Sequence, residues 1–271
     1  MATSSLIWSG ARRRSPLRCR WSGPPVSPGA GTGSPARGRP PDERHIRAMF
    51  DGLALRYDLV NDILSIGLDR WWRRAAASAL HVTAGERLLD LGCGTGRLGM
   101  VLASGHPVIG IDVSRAMLQE ARRRSAGRVR LIQGSAFQLP FRDASFGGAA
   151  SAFVLRNMDD LHKAFAELAR VVAPGGGLAL VDITEPSNPL VRRLFHTYFH
   201  AAAPAVGALV GKRSEYSYLV RSLTHLPPPE EMCEMLRLAG FVDCAARPLT
   251  GGMVTLFTAI RGGPEGGPAH G

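Results

Sequence analysis

Lysine, N-terminal acids, paired cysteines and long apolar runs are all scarce in this chain, and each scarcity removes a class of protein. Of 33 basic side chains 31 are Arg, leaving only Lys163 and Lys212, the bias of a GC-rich genome. Residues 1–41 hold seven Arg and no acid, while the other 230 residues carry 26 basic against 22 acidic side chains, or +4 of the total +11. That balance is ordinary for a globular protein, so the charge gives no reason to expect a nucleic-acid partner. Cys19, Cys93, Cys233 and Cys244 show neither metal-ligand spacing nor a disulfide framework, so no metal is expected and a reducing compartment fits. No run reaches the roughly 18 apolar residues needed to span a bilayer. There is no Gly-Lys-Ser or Gly-Lys-Thr, which excludes a phosphate loop.

What is present is a 271-residue chain, 45% hydrophobic, organised around Glu86-Arg87-Leu88-Leu89-Asp90-Leu91-Gly92-Cys93-Gly94-Thr95-Gly96. Leu88, Leu89 and Leu91 form the apolar run of a strand buried on both faces, and Gly92, Gly94 and Gly96 make a glycine-rich turn opening a helix. The spacing G-x-G-x-G is shorter than that of the dinucleotide fingerprint. Asp90 at its head disfavours a pyrophosphate and suits a cationic sulfonium and α-amino group. A second strand ends in Asp112, where a carboxylate accepts hydrogen bonds from ribose hydroxyls. Together they describe a site for S-adenosylmethionine (SAM). The plainer reading is that the glycines only make a tight turn.

Elements alternate as strands over 87–91, 107–112, 129–133, 146–153 and 178–183 with helices over 96–104, 114–124 and 159–172, after a helical region over 42–80. A turn at Pro174-Gly175-Gly176-Gly177 precedes the fifth strand. Helix 229–239 and strands 244–249 and 253–260 follow, the short link between the strands requiring an antiparallel pair. The expected fold is α/β, a doubly wound seven-stranded sheet, Rossmann-like, with a reversed last strand. Residues 186–226 interrupt the alternation near the carboxyl ends of the strands, where a helical lid would sit. Residues 1–41 and 262–271 are expected to be disordered around a folded domain over 42–261. The first segment reads as a mitochondrial targeting sequence or as an over-extended start, the second being preferred because Pro16, Pro24, Pro25, Pro28 and Pro35 break an amphipathic helix.

Gly134-Ser135-Ala136-Phe137-Gln138-Leu139-Pro140-Phe141, after the third strand, lies where adenine would bind. Backbone groups near Ser135 and Ala136 supply amide contacts, and either Phe137 or Phe141 packs the ring. Tyr57-Asp58-Leu59-Val60-Asn61-Asp62-Ile63-Leu64-Ser65-Ile66-Gly67-Leu68-Asp69-Arg70-Trp71-Trp72 resembles the Y-D-x-x-N-x-x-x-S-x-G-x-x-x-x-W signature of the ubiquinone/menaquinone biosynthesis C-methyltransferases. Phe153-Val154-Leu155-Arg156-Asn157 resembles that family's F-G-L-R-N. Tyr216-Ser217-Tyr218-Leu219 with Ser222 and Pro227 resembles its lid, and the likeness covers about 44–260. The chain departs from the pattern at Asp69, Ala152, Val154 and Ser135, the last standing where the family has Asp or Asn.

The resemblance implies methyl transfer from SAM to a ring carbon of a polyprenylated hydroquinone, benzoquinol or naphthoquinol, with demethylmenaquinol favoured. It carries cofactor contacts to Thr95, Asp112, Ser135 and Ala136. The ring carbon attacks only when its neighbouring hydroxyl is partly ionised, and a phenol with a pKa of about 10 needs a fixed cation nearby. Arg156 is the candidate, with Asn157 orienting a water or the substrate and Tyr57 lining the pocket. The competing reading pairs Arg156 with Asp159 or Asp182. Leu194, Phe195, Phe199 and residues 201–210 are candidates for an apolar entrance and a weak peripheral membrane contact. A homodimer is a candidate assembly. The expected location is the cytoplasm, at the inner face of the membrane, or the mitochondrial matrix if the first segment is a targeting sequence. The alternatives are a SAM methyltransferase of another lipophilic small molecule and a non-catalytic SAM-binding module. A nucleic-acid methyltransferase lacks support because the Asn/Asp-Pro-Pro-aromatic run is missing.

Overall fold

The structure is a computed structural model that describes residues 42–209 and 226–263. The N-terminal extension over 1–41, the lid residues Tyr216 to Leu219 and Ser222, and residues 264–271 of the C-terminal tail lie outside the described residues. Seven strands form one sheet in the order β3-β2-β1-β4-β5-β7-β6, built from β1 Leu88–Leu91, β2 Val108–Asp112, β3 Val129–Gln133, β4 Phe146–Ala152, β5 Val172–Ile183, β6 Phe241–Leu249 and β7 Val254–Arg261. The pairs among β1 to β5 are parallel, and β7 runs antiparallel to both β5 and β6. The doubly wound sheet with its reversed last strand is therefore the observed fold. Every residue of β1 is buried, Asp90 among its three leucines included, and neighbours β2 and β4 flank it on the two sides. The order of connection reverses between β1 and β4, which opens a crevice at their carboxyl ends.

Helices α1 Glu43–Leu64 and α2 Asp69–Ala79 precede β1; α3 Arg97–Leu102, α4 Arg115–Ser125, α5 Leu161–Val171, α6 Pro189–Leu209 and α7 Pro229–Leu238 follow in order. Side-chain caps fix three starts: Asp42 accepts from the His45 amide at 2.9 Å, Ser114 from Met117 at 3.1 Å and Asp160 from Lys163 at 2.9 Å. One wall of the core packs α5 and α7 through Phe165, Leu168, Met232 and Leu236 onto the sheet. On the other face α2 and α3 pack through Trp72, Ala76, Leu98 and Leu102. Of the adjacent tryptophans, Trp72 is buried and its indole N–H donates to Thr250 Oγ1 at 2.9 Å, while Trp71 is exposed.

Two boundaries differ from expectation. β5 begins at Val172 rather than 178, because Phe146 pairs with Val172 and Gly148 with Gly177, so residues 173–176 loop out within the strand. Gly177 admits no side chain there, since a Cβ would meet the His81 carbonyl oxygen at 2.3 Å. β6 begins at Phe241 rather than 244, with a register shift between Val242 and Ala245 around Asp243 at φ +51°. That bulge disrupts the alternation by which the strand would be read.

Candidate active site

Two adjoining cavities open at the carboxyl ends of β1, β2 and β4, beneath α1. The first is lined by Tyr57, Arg73, Gly92, Thr95, Asp112 and Phe153 among others. The second is lined by Glu43, Asp112, Ala136, Phe137, Asn157 and Met158 among others. Ile46, Gly92, Asp112, Val113 and Val154 line both, so the two form one elongated cleft roofed by α1. Gly92, Gly94 and Gly96 all have positive φ (63°, 52° and 80°), and a Cβ on Gly92 would lie 2.5 Å from Val154 Cγ2. The loop follows the only path that keeps this cradle open.

Asp112 is held at the centre. Its carboxylate accepts from the Gly94 amide at 2.8 Å and the Ser114 amide at 2.9 Å. Burial raises its pKa, against the pull of the Ser114 and Gly94 amides. Each carboxylate oxygen keeps a further lone pair for hydroxyl donors, as a ribose requires. The open glycine cradle, this acceptor and the apolar wall of Ala136, Phe137 and Met158 fit a nucleoside carrying a charged aliphatic arm. Of the two candidate ring-packing aromatics, Phe137 faces the cleft, whereas Phe141 packs edge-on against Phe146 with centroids 4.9 Å apart. Ala136 lines the cleft but Ser135 does not: its hydroxyl is engaged with the Glu43 carboxylate at the start of α1 and accepts from the Phe137 amide at 3.1 Å. Any contact from Ser135 to a ligand in the cleft therefore falls to its backbone.

Asp90 and Arg156 depart from their expected places. Asp90 lines neither cavity, because it belongs to a strand buried on both faces and its carboxylate lies against Gly99 of α3. Arg156 is buried, its Nη1 donating to Asp182 Oδ1 at 2.5 Å and to the Phe153 carbonyl at 3.1 Å, and it too lines neither cavity. This is the ion pair of the competing reading, with Asp182 as the partner. The pair holds the short 3-10 turn Leu155–Asn157, and that turn presents Asn157 to the second cavity. Tyr57, Gly92, Gly94 and Thr95 line the first cavity as expected, and Gly96 caps α3 behind it.

Sequence reasoning missed the cation that lines the cleft. Among the described residues lining it, Arg73 alone is basic. Its Nε and Nη2 bond Asp69 at 2.9–3.0 Å, and its guanidinium lies 5.1 Å from the centroid of the Phe153 ring. A side-on pair of this kind leaves Nη1 at the far edge of the guanidinium plane. The i, i+4 spacing of Asp69 and Arg73 was the available signal.

The signature around Tyr57 also acquires a structural meaning. Arg97, the first residue of α3, binds Asp62 at 2.5 Å, Asp58 at 3.0 Å and Asp69 at 3.1 Å. Asp58 also accepts from Thr95 Oγ1 at 2.7 Å and pairs with Arg124. The Arg97 hydrogen bond is the largest influence lowering the Asp62 pKa; for Asp69 burial pushes up, but Arg73 and Arg97 outweigh it and the net shift is downward. Three acids of α1 and α2 thus clamp the roof of the cleft to the glycine loop.

Burial pushes the Asp90 carboxyl up to about 7, with Arg73 and the Gly99 amide opposing. Its folded pKa exceeds its unfolded value, so Asp90 favours folding at low pH and that contribution is lost as pH rises from about 4 to 7. A cation entering the cleft favours the ionised form and expels the proton. SAM is therefore expected to bind about eightfold tighter at pH 7.5 than at pH 6 in calorimetry, with the dependence reduced in Asp90→Asn; equal affinity at both pH values would refute the coupling. The Cys93 thiol in the same wall is pushed well above its usual pKa by burial, which makes it inert.

Comparison with known proteins agrees with this geometry. The chain is 41% identical over 220 residues to a demethylmenaquinone methyltransferase of Clavibacter sepedonicus, spanning 80% of this chain and 90% of that one. It is 37% identical over 224 residues to the ubiquinone/menaquinone biosynthesis C-methyltransferase UbiE of Syntrophotalea carbinolica, spanning 80% and 94%. Among solved structures, a SAM-dependent methyltransferase of Thermotoga maritima, possibly a histamine N-methyltransferase, superposes with a TM-score of 0.59 at 18% identity over 80% of this chain and all of that one. Haemonchus contortus phosphoethanolamine N-methyltransferase 2 in complex with SAM shares the fold at a TM-score of 0.54 and 18% identity, over 71% of this chain and 53% of that one. Residues 40–261 match the model of the ubiE/COQ5 methyltransferase family, and the chain, a SAM-dependent methyltransferase, belongs to that family.

Proposed function

We propose that this protein methylates a ring carbon of a polyprenylated hydroquinone, with demethylmenaquinol converted to menaquinol as the favoured reaction. The observation that carries the reading is the first cavity. It sets the aromatic and apolar side chains of Phe50, Tyr57, Phe153 and Val154 directly beside the glycine loop, which suits a flat apolar ring. The name of the Clavibacter sepedonicus relative points to the same substrate class.

SAM, when bound, supplies an electrophilic methyl group on a sulfonium. The chain's own residues do the rest. Asp112 holds hydroxyl donors, Ala136 and Phe137 wall the second cavity, and Asn157 and Tyr57 offer polar groups at the two ends of the cleft. Arg73 brings positive charge to the wall of the first cavity, and a fixed cation favours the ionised form of a phenol placed there. It cannot accept the proton, because a guanidinium stays charged. Enclosure beneath α1 excludes water and limits the orientations of the ring, so much of the rate comes from alignment.

The test is transfer of labelled methyl from SAM to demethylmenaquinol and, separately, to the ubiquinone-pathway benzoquinol, using protein beginning near Pro41. Label on the naphthoquinol ring carbon is the expected result. Label on neither ring, with SAM binding intact, would transfer the proposal to another lipophilic small molecule.

A further inference from the structure

Eleven large apolar side chains are exposed among the described residues, and nine of them lie on α1, α2, the turn between them and the front of α6. Leu55, Leu59 and Ile63 recur at i, i+4 and i+8, on the side of α1 opposite the buried Ile46, Leu53 and Val60. Leu190, Leu194 and Tyr198 repeat that spacing on α6. The Tyr198 hydroxyl donates to the Leu64 carbonyl at 3.3 Å, which joins the two stripes where α1 ends. Ile66, 75% exposed, stands in the turn beyond Ile63. So much apolar surface in one place marks a contact site.

The charges around it identify the partner. Arg56, Arg70, Arg74, Arg192 and Arg193 are all exposed on the same three helices. Between Leu55 and Arg74 no acidic side chain is fully exposed: Asp58, Asp62 and Asp69 turn to Arg97, and Asp62 also meets the exposed Arg70 at 3.5 Å. An apolar stripe rimmed by arginines matches a bilayer with anionic headgroups, the chains taking the stripe and the headgroups the rim. A second copy of the chain would instead set arginines against arginines.

From this complementarity we infer that the outer face of α1 and the front of α6 dock the protein onto an anionic lipid surface, with the roof of the catalytic cleft against the membrane. The inference rests on the proposed function for its purpose, delivery of a substrate whose tail resides in lipid, and names the surface on which that delivery occurs. It does not rest on it for its test.

The experiment is flotation of the full chain with phosphatidylcholine vesicles with and without phosphatidylglycerol, compared with the variant Leu59→Glu/Leu190→Glu. Neither substituted residue lines the cleft, so SAM affinity and turnover of a short-tailed, water-soluble quinol are expected to stay unchanged. Binding is expected only with phosphatidylglycerol present, weakened by salt and reduced about tenfold or more in the variant. Flotation unaffected by the substitutions, or no flotation of the native chain, would overturn the inference. A native dimer in sedimentation equilibrium that the variant dissociates, without vesicle binding, would overturn it in favour of a subunit interface. Vesicle binding without turnover of either quinol would leave docking standing and remove the proposed reaction.

Discussion

Asp182→Ala is expected to destabilise the protein by about 3–5 kcal/mol, the usual cost of leaving one member of a buried ion pair alone. Asp182 is fully buried in β5, and Arg156, with its side chain 5% exposed, cannot turn to water without unravelling the turn it holds. The carboxylate binds three groups: Arg156 Nη1, the Arg156 amide at 3.3 Å and the Ile183 amide at 2.7 Å. Alanine abandons all three. Denaturant unfolding measures the loss, and Asp182→Leu combined with Arg156→Met should recover most of it, since an apolar replacement of both partners removes the uncompensated charge. A loss below about 1 kcal/mol in the single variant would show that the pair is solvated after all. The double variant also separates the two readings of Arg156. If Arg156 acts only through the turn that presents Asn157, SAM affinity and quinol affinity should fall together with the order of that turn. If its charge acts on the quinol, turnover should fall while both affinities hold.

Gly92→Ala is expected to weaken SAM binding by about 100-fold or more, a penalty near 3 kcal/mol. Two costs combine. Gly92 sits at φ +63°, where a residue with a Cβ is strained by about 1–2 kcal/mol. The new methyl would also lie 2.5–2.8 Å from three atoms of the Val154 side chain, which lines both cavities and would be driven into the cleft. Adding Val154→Gly removes the clash and leaves the strain, so calorimetry on Gly92→Ala/Val154→Gly should show partial recovery. Retention of SAM affinity within about threefold in Gly92→Ala alone would mean that the loop is not the cradle.

The parts of the fold that were legible in the sequence are those whose physics is local. The apolar run of Leu88 to Leu91, the glycine spacing after it and the alternation of β and α segments each follow from residues within one element. What was not legible depends on partners far apart in the chain. Ser135 reads as an adenine contact through its backbone, and the reason its hydroxyl takes no part is Glu43, 92 residues earlier, which engages it. For Arg156 the sequence offered Asp159 and Asp182 as partners without choosing, and the register that sets β4 beside β5 selects Asp182. Arg73 drew no attention as one arginine among many, and its importance comes from the packing of α2 that turns it toward the cleft. The acids of the signature were recognised as a pattern without a reason, because Arg97 lies 28 to 35 residues away from Asp62 and Asp69.

That separation has a consequence for how the protein is made. A ribosome releases α1 and α2 before β1 and the residue that clamps them exist. Helices of this length are marginal alone in water, and α1 carries apolar side chains on two opposite faces. The nascent chain therefore passes through a stage in which the future roof of the cleft is sticky and unanchored. It ends when Arg97 emerges and three carboxylates find their cation.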